Sequence, residues 1–317
     1  MRHTRRAFGK TTLAALPLLP ALSRAARSAP NSKFDGVQIG TITYSFKQDV
    51  KKPEEILPDL IKIGISSVEL MSDDGERMAG APAIPFFGPG AKLTPEQQTA
   101  IEDARKQRTA WRAQTTPATF ENLRRKFDDA GVHLDILCYN MRGNVPDDEI
   151  DYAFRMAKAL KVKAISSTST VVIARRVAPF ADKYGIVWAG HGHDAVNDPN
   201  EFATPQSFDL IMSLSRHIGV NLDIGHFTAA NFDAVDFIQK HHDRITNLHL
   251  KDRKKNFGPN VPWGQGDTPI REVLQLMRKE RYTFPANIEL EYPIPQGSNS
   301  VAEISRCLDY ARKCLES

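Results

Sequence analysis

Several apolar segments in the second half of the chain carry side chains that can bind a cation or move a proton. The segment GVNLDIGHF, residues 219–227, places Asp223, Gly225 and His226 directly after an apolar run. A buried strand has no structural need for a carboxylate at its last position, because an unpaired buried charge is costly. Asp223 is therefore a candidate metal ligand or catalytic group.

Three further segments show the same pattern: IVWAGHGH, ITNLHLKD and ANIELEY. Strand side chains alternate between two faces, so residues of equal parity share a direction. The polar residues of equal parity are His191, His193, Asn247, His249, Lys251, Glu289 and Glu291. A single histidine of this kind is more often a hydrogen-bonded core residue, but so many buried ionisable groups require pairing or a metal ion. Nitrogen and oxygen ligands without a thiolate predict one divalent ion: Mn²⁺, Zn²⁺, Co²⁺ or Mg²⁺.

The elements that must position these residues are β-rich runs separated by longer segments of helical period. The runs are residues 37–46, 66–71, 132–140, 162–168, 186–193, 220–225, 245–252 and 286–292. Eight β units, each followed by a helix, predict a single α/β domain with the closed (β/α)₈ TIM barrel fold. An open doubly wound sheet is the alternative, but no GxGxxG motif follows the first strand.

The predicted helical segments include residues 53–64, 117–131, 147–161, 204–219, 232–243, 270–282 and 300–317. Residues 72–93 interrupt this rhythm as a Gly/Pro-rich loop with Phe86 and Phe87, and an extra helix is predicted over 94–114. In a parallel barrel the active site lies at the carboxyl ends of the strands, where the candidate residues fall.

The N-terminal segment differs from the rest of the chain in charge and in pattern. Six basic and no acidic side chains lie in residues 1–30, so the formal charge of +4 becomes −2 for the remainder. A chain of that charge gives no reason to expect a nucleic acid or an anionic membrane as a partner.

TRRAFGK, residues 4–10, is similar to the twin-arginine export motif and precedes the short apolar run TTLAALPLLPAL. That run is too short to span a bilayer. Residues 1–28 are therefore predicted to be a twin-arginine signal peptide, cleaved near Ser28, and the mature protein to be periplasmic. A basic N-terminal arm is the alternative.

The runs YGIVWAGHGHD, NLDIGHF, NLHLKD and IELEY, in this order and spacing, resemble the xylose-isomerase-like TIM barrel superfamily, also called the sugar phosphate isomerase/epimerase family. The resemblance covers nearly all of the chain after residue 34 and implies one barrel domain over residues 34–317. In that superfamily strands 5 to 8 supply a Glu, an Asp, a His and a Glu to a metal ion. The last three fall on Asp223, His249 and Glu289.

Strand 5 departs from the pattern of the ketose epimerases, because His191 stands where those enzymes have a glutamate. An imidazole there changes both the charge and the basicity of the site. Members of the superfamily with a His-x-His element at this place exist, so the resemblance still implies a metal site. His191 is the expected ligand, and His193 is the alternative.

The resemblance implies a divalent-metal-dependent sugar isomerase or epimerase, acting by proton abstraction next to a carbonyl through a metal-bound enediolate. The candidates for the proton-transferring groups are Glu289, His193 and Lys251. The residues expected to contact the substrate are Tyr44, Glu69, Asn140, His226, Trp263 and Glu291. A free sugar, a cyclitol or an oxidised glycoside is the expected substrate, because the sequence has no Gly-rich phosphate-binding loop. The sequence is also compatible with a homo-oligomer.

Two alternatives remain open for the same barrel. If the carbonyl lies at C3 of a glycoside, the same enediolate expels the group at C1, which makes the protein a 3-keto-glycoside lyase. A non-catalytic periplasmic carbohydrate-binding protein would keep Trp263 and Tyr44, but it would not need Asp223, His249 and Glu289 together. A base-excision endonuclease shares the barrel but would need a basic face.

Overall fold

The barrel is built from parallel strands that are buried on both faces. The computed structural model describes residues 29–49, 51–87 and 91–317. Within those residues the barrel strands are β1 Val37–Ile42, β2 Ser67–Met71, β3 His133–Cys138, β4 Ala164–Thr168, β5 Val187–His191, β6 Ile218–Asp223, β7 Ile245–Leu250 and β8 Ala286–Ile288. The strands pair in the order β1, β8, β7, β6, β5, β4, β3, β2, and β2 pairs again with β1. The predicted (β/α)₈ barrel is therefore confirmed.

Helices surround this barrel and bury their apolar sides against it. They are α1 Pro53–Ile63, α2 Ser72–Met78, α3 Pro95–Gln114, α4 Pro117–Asp129, α5 Asp147–Leu160, α6 Val171–Tyr184, α7 Pro205–Met212, α8 Ile224–Ala229, α9 Ala234–His241, α10 Ile270–Glu280 and α11 Ser300–Glu316. A left-handed glycine ends α1 at Gly64 (φ 94°) and α6 at Gly185 (φ 63°), as the C-cap pattern predicts. Helix α7 is shorter than the predicted segment 204–219, because residues 218 and 219 already belong to β6.

The segment after β8 is held by side chains from the start of the chain. Strand β8 ends at Ile288, so Glu289 and Glu291 follow the strand instead of lying within it. Thr41 Oγ1 and Ser45 Oγ donate to the Ile288 carbonyl, and Ser45 Oγ also accepts from the Leu290 N–H. These bonds fix the segment that carries both glutamates.

The insertion after β2 is tied down by a buried ion pair network. The carboxylate of Glu76, on α2, is fully buried between Arg108 and Arg112 of α3, at 2.7 and 2.6 Å. Arg108 also donates to the Pro82 carbonyl. The predicted loop 72–93 thus begins with a helix, while Phe86 remains 83% exposed.

The signal-peptide prediction falls on residues 1–28, which lie outside the described residues. In the part of the chain that is described, no helix is both long and apolar enough to cross a membrane.

Candidate functional site

Four predicted ligands meet at the carboxyl end of the barrel. His191 and Asp223 are the last residues of β5 and β6, His249 lies near the end of β7, and Glu289 follows β8. Each offers one ligand atom, and these atoms lie within 4.8 Å of one another. All four side chains are buried. The parallel register, which pairs Asp223 with His249, brings them to one level of the barrel.

Two atoms of this cluster have no hydrogen-bond partner among the residues that the structure describes. They are Nδ1 of His191 and Oδ2 of Asp223. Buried polar atoms are nearly always hydrogen-bonded, so such an atom calls for an explanation. An imidazole nitrogen and a carboxylate oxygen are both ordinary ligands of divalent cations. The chemistry and the spacing of the four residues therefore fit a divalent metal ion.

Lys251 supplies positive charge next to this cluster. Its Nζ lies 2.9 Å from Glu289 Oε2, 2.5 Å from Glu291 Oε2 and 2.9 Å from Asp223 Oδ2. The contact with Asp223 is an ion pair without the geometry of a hydrogen bond. Burial lowers the pKa of Lys251, but the carboxylates of Asp223, Glu289 and Glu291 raise it well above its ordinary value. The side chain is therefore an ammonium that balances these acids.

The two histidines of the cluster have opposite electrostatic surroundings. Burial and the neighbouring His249 hold the pKa of His191 well below its ordinary value, so its imidazole is neutral. Burial also lowers the pKa of His249, but the Glu289 and Glu69 carboxylates raise it well above the ordinary value. His249 Nδ1 lies 2.8 Å from Glu289 Oε2, and Nε2 lies 2.8 Å from Glu69 Oε2.

Glu289 is a buried carboxylate that lies between His249 and Lys251. Burial raises its pKa, but the charges of His249 and Lys251 lower it well below the ordinary value. It is therefore ionised, and it contacts both a potential ligand and an ammonium that can return a proton.

His193 and His226 lie beside the cluster. The His193 ring centroid is 4.9 Å from that of His191 and 5.2 Å from that of His226. Burial and His226 lower the pKa of His193 to about 4. The Arg253 guanidinium donates to Nδ1 of His226 at 2.6 Å, so Nδ1 is the acceptor and the ring N–H lies on Nε2.

Asp194 and Arg253 were missed by the sequence analysis. Asp194 accepts from Arg253 at 2.8 Å, and together they hold His226. Asp194 lies in a loop and Arg253 in the two-residue strand Asp252–Arg253 that follows β7. Charged side chains outside the barrel strands are usually solvated, so no pattern in the sequence distinguishes them.

The other predicted contact residues lie at several depths. Tyr44 is partly exposed. Burial raises the pKa of its hydroxyl, and the Glu291 and Glu289 carboxylates raise it further, so the hydroxyl lies near these two acids. Asn140 is exposed and accepts from the Thr168 N–H at 2.9 Å. Trp263 packs edge-on against Tyr310 of α11, with 5.9 Å between ring centroids.

Glu69 was predicted to line the sugar-facing wall, and the structure places it inside the barrel with no exposed surface. Its carboxylate contacts polar side chains that the sequence analysis gave no role: Ser166, Asn221, Asn247 and Asn287. Each asparagine stands two residues before a predicted ligand. That period of two is the feature of the sequence that could have identified them.

The mouth of the barrel has a polar side and an apolar side. The cluster occupies the ends of β5 to β8, while Ile42, Met71 and Cys138 end β1, β2 and β3 and form a separate buried apolar group.

Comparison with known proteins gives the same architecture. The family model described as "Xylose isomerase-like TIM barrel" matches residues 173–314. A sugar phosphate isomerase/epimerase from Parabacteroides distasonis has 16% identity and a TM-score of 0.59, over 89% of this chain and 96% of that one. No curated protein matches the sequence significantly.

Two further solved structures are similar at comparable levels. The probable 3-DHS dehydratase AsbF from Bacillus anthracis has 13% identity and a TM-score of 0.60, over 89% of this chain and 99% of that one. The IOLI protein, solved with a bound zinc atom, has 13% identity and a TM-score of 0.57, over 88% and 96%. Identities this low establish the fold alone.

Proposed function

We propose that this protein is a divalent-metal-dependent enzyme of the isomerase or epimerase type, which removes a proton next to a carbonyl of a sugar or glycoside. The observation that supports it is the buried cluster of four ligand atoms within 4.8 Å of one another. The match to the xylose-isomerase-like family model and the zinc bound by the IOLI protein agree with this proposal.

In such a reaction, different residues of the site would bind the metal ion and transfer the proton. His191, Asp223, His249 and Glu289 would hold the ion, which when bound polarises a carbonyl oxygen. The ionised Glu289 accepts the proton from the carbon next to the carbonyl, and the electron pair of the broken C–H bond moves into an enediolate. Lys251, 2.9 Å from Glu289, returns the proton.

A second candidate reaction, elimination from a 3-keto-glycoside, is favoured by one specific observation. The neutral His191 occupies the strand position where an epimerase needs its second carboxylate, so the second base of an epimerase is missing at that position. Elimination needs one base and one acid for the leaving group. Glu289 and the Lys251 ammonium supply such a pair.

The first test is metal content. We expect the wild-type protein to bind one divalent ion per chain, measured by elemental analysis after dialysis. Asp223→Asn and His249→Ala should lose the ion and keep the far-UV circular dichroism of the wild type. Matched controls are Asp243→Asn and His133→Ala, because both side chains are exposed. Equal metal content in all five proteins would contradict the proposed site.

The second test separates the reactions. The metal-loaded protein is incubated in D₂O with free sugars, cyclitols and 3-keto-glycosides, and the products are followed by NMR and mass spectrometry. Deuterium uptake without release of an aglycone supports isomerisation, and aglycone release supports elimination. Saturable sugar binding with neither outcome would identify a carbohydrate-binding protein instead.

A further inference from the structure

Glu69 is a fully buried carboxylate inside the barrel, surrounded by groups that donate hydrogen bonds. It lies on β2, while most of its partners lie across the barrel on β6, β7 and β8. Its neutral donors are Ser166 Oγ, Asn221 Nδ2 at 3.3 Å, and Asn247 Nδ2 and Asn287 Nδ2 at 2.8 Å each. Both oxygens of the Glu69 carboxylate are therefore hydrogen-bonded within this cage.

The cage forms one layer of the barrel directly beneath the metal cluster. Asn221, Asn247 and Asn287 each precede by two residues a predicted ligand, so their side chains share its direction at a deeper level. Gly40 on β1 leaves the necessary room, because a Cβ there would lie 2.2 Å from Asn287 Oδ1. The layer is thus packed around one anion.

His249 connects this layer to the cluster. Its Nε2 lies 2.8 Å from Glu69 Oε2 and 3.1 Å from Asn221 Nδ2. Nε2 is directed toward the buried cage, where Glu69 Oε2 is its nearest acceptor, so a proton on Nε2 is donated to Glu69. Nδ1, on the opposite side of the ring and 2.8 Å from Glu289 Oε2, remains to bind a cation.

We propose that Glu69 is a positioning residue that fixes the ring orientation and tautomer of His249, so that Nδ1 is the nitrogen offered to the metal ion. A carboxylate bonded to the far nitrogen also makes a ligating imidazole a stronger base. This inference rests on the proposed metal centre. It assigns to Glu69 a role without substrate contact.

The test compares Glu69→Gln with a matched buried glutamate. A glutamine keeps the size of the side chain, removes its charge and turns an amide donor toward the other donors of the cage. Glu303→Gln is the control, because Glu303 is equally buried but is bonded to Tyr292, Ser298 and Arg306 on the outer side of the barrel. Affinity for Zn²⁺ is measured by chelator competition, and unfolding free energy is measured in EDTA.

We expect the Zn²⁺ dissociation constant of Glu69→Gln to rise by about 10- to 100-fold, the usual effect of losing such a partner, and that of Glu303→Gln to stay unchanged. Glu69→Asp, which keeps the charge, should recover part of the affinity. A wild-type protein that binds no Zn²⁺ would overturn the metal centre itself. If the wild type and Glu69→Gln bind Zn²⁺ equally tightly, only the positioning role of Glu69 is overturned.

A spectroscopic measurement separates positioning from a merely structural contribution. In the zinc-loaded protein labelled with ¹⁵N-histidine, the His249 ring, assigned through its backbone signals, should show a protonated Nε2 and a metal-shifted Nδ1. In Glu69→Gln the Nε2 proton should exchange with water rapidly. A signal with Nε2 as the ligating nitrogen would contradict the proposal.

Discussion

The positive charge of Lys251 balances the carboxylates at the carboxyl end of the barrel. Its ammonium is buried within 2.9 Å of Asp223, Glu289 and Glu291. A bound divalent ion would take over part of this neutralisation, since two of the three carboxylates are proposed ligands. The lysine and the ion therefore stabilise the same acids.

At this residue we predict that Lys251→Met destabilises the metal-free protein by about 3 kcal/mol, because it leaves buried carboxylates without their partner. Saturating Zn²⁺ should restore most of the loss, since a ligand that binds only the folded state stabilises it. Urea unfolding in EDTA and in Zn²⁺ measures both effects. The control is Lys163→Met, an exposed partner of Asp135, for which a change below about 1 kcal/mol is expected.

The residues that could be predicted are those whose type conflicts with their position. A histidine or carboxylate at the end of an apolar strand is conspicuous, and His191, Asp223, His249 and Glu289 were identified for that reason. Asparagine is less conspicuous. Asn221 reaches Glu69 across 152 positions of sequence, and only closure of the barrel brings the two together.

At the scale of elements, Asp223 belongs to both a strand and a helix. It ends β6 and is the N-cap of α8, and its Oδ1 accepts from the His226 N–H at 2.7 Å. Its other oxygen faces the cluster. One carboxylate therefore starts a helix and offers a ligand atom.

This double role predicts different outcomes for two substitutions. Asp223→Asn keeps a good N-cap, whereas Asp223→Ala loses it, at a cost of about 1 kcal/mol. Both should abolish metal binding equally. Denaturation in EDTA and metal analysis check the two effects, and equal stability of the two variants would show that the cap contributes nothing.

Element boundaries were less predictable than element types. The sequence indicated a loop from residue 72, yet Ser72–Met78 is helical. Gly75, a glycine of that predicted loop, lies within this helix, and a Cβ there would make a tight contact of 3.0 Å with Leu70 Cδ2. Strand β8 is also shorter than predicted, since the Glu289 N–H still donates to the Leu250 carbonyl but the next N–H, of Leu290, is bonded to Ser45 Oγ instead of to a strand.

At the scale of the whole molecule, one consequence of the sequence concerns export. We propose that residues 1–28 direct the protein to the periplasm by the twin-arginine route, which carries folded proteins. The barrel could then acquire its metal ion before it leaves the cytoplasm.

We predict that Arg5→Lys with Arg6→Lys keeps the folded protein in the cytoplasm, because the arginine pair is the recognised part of the motif. Cell fractionation and blotting would measure this. Arg24→Lys, in the same basic segment but outside the motif, should be exported normally. Unchanged export of the double variant would remove the case for this route.

The bonds that join residues 41–45 to residues 288–290 also determine when the site can exist during synthesis. The Thr41 hydroxyl donates to a carbonyl 247 positions later in the chain, and Glu289 reaches its position in the cluster only when that hydrogen bond forms. A ribosome must therefore release the chain as far as Glu289 before the fourth proposed ligand is available. Chains truncated before this residue would lack it, and we expect them to remain ion-free.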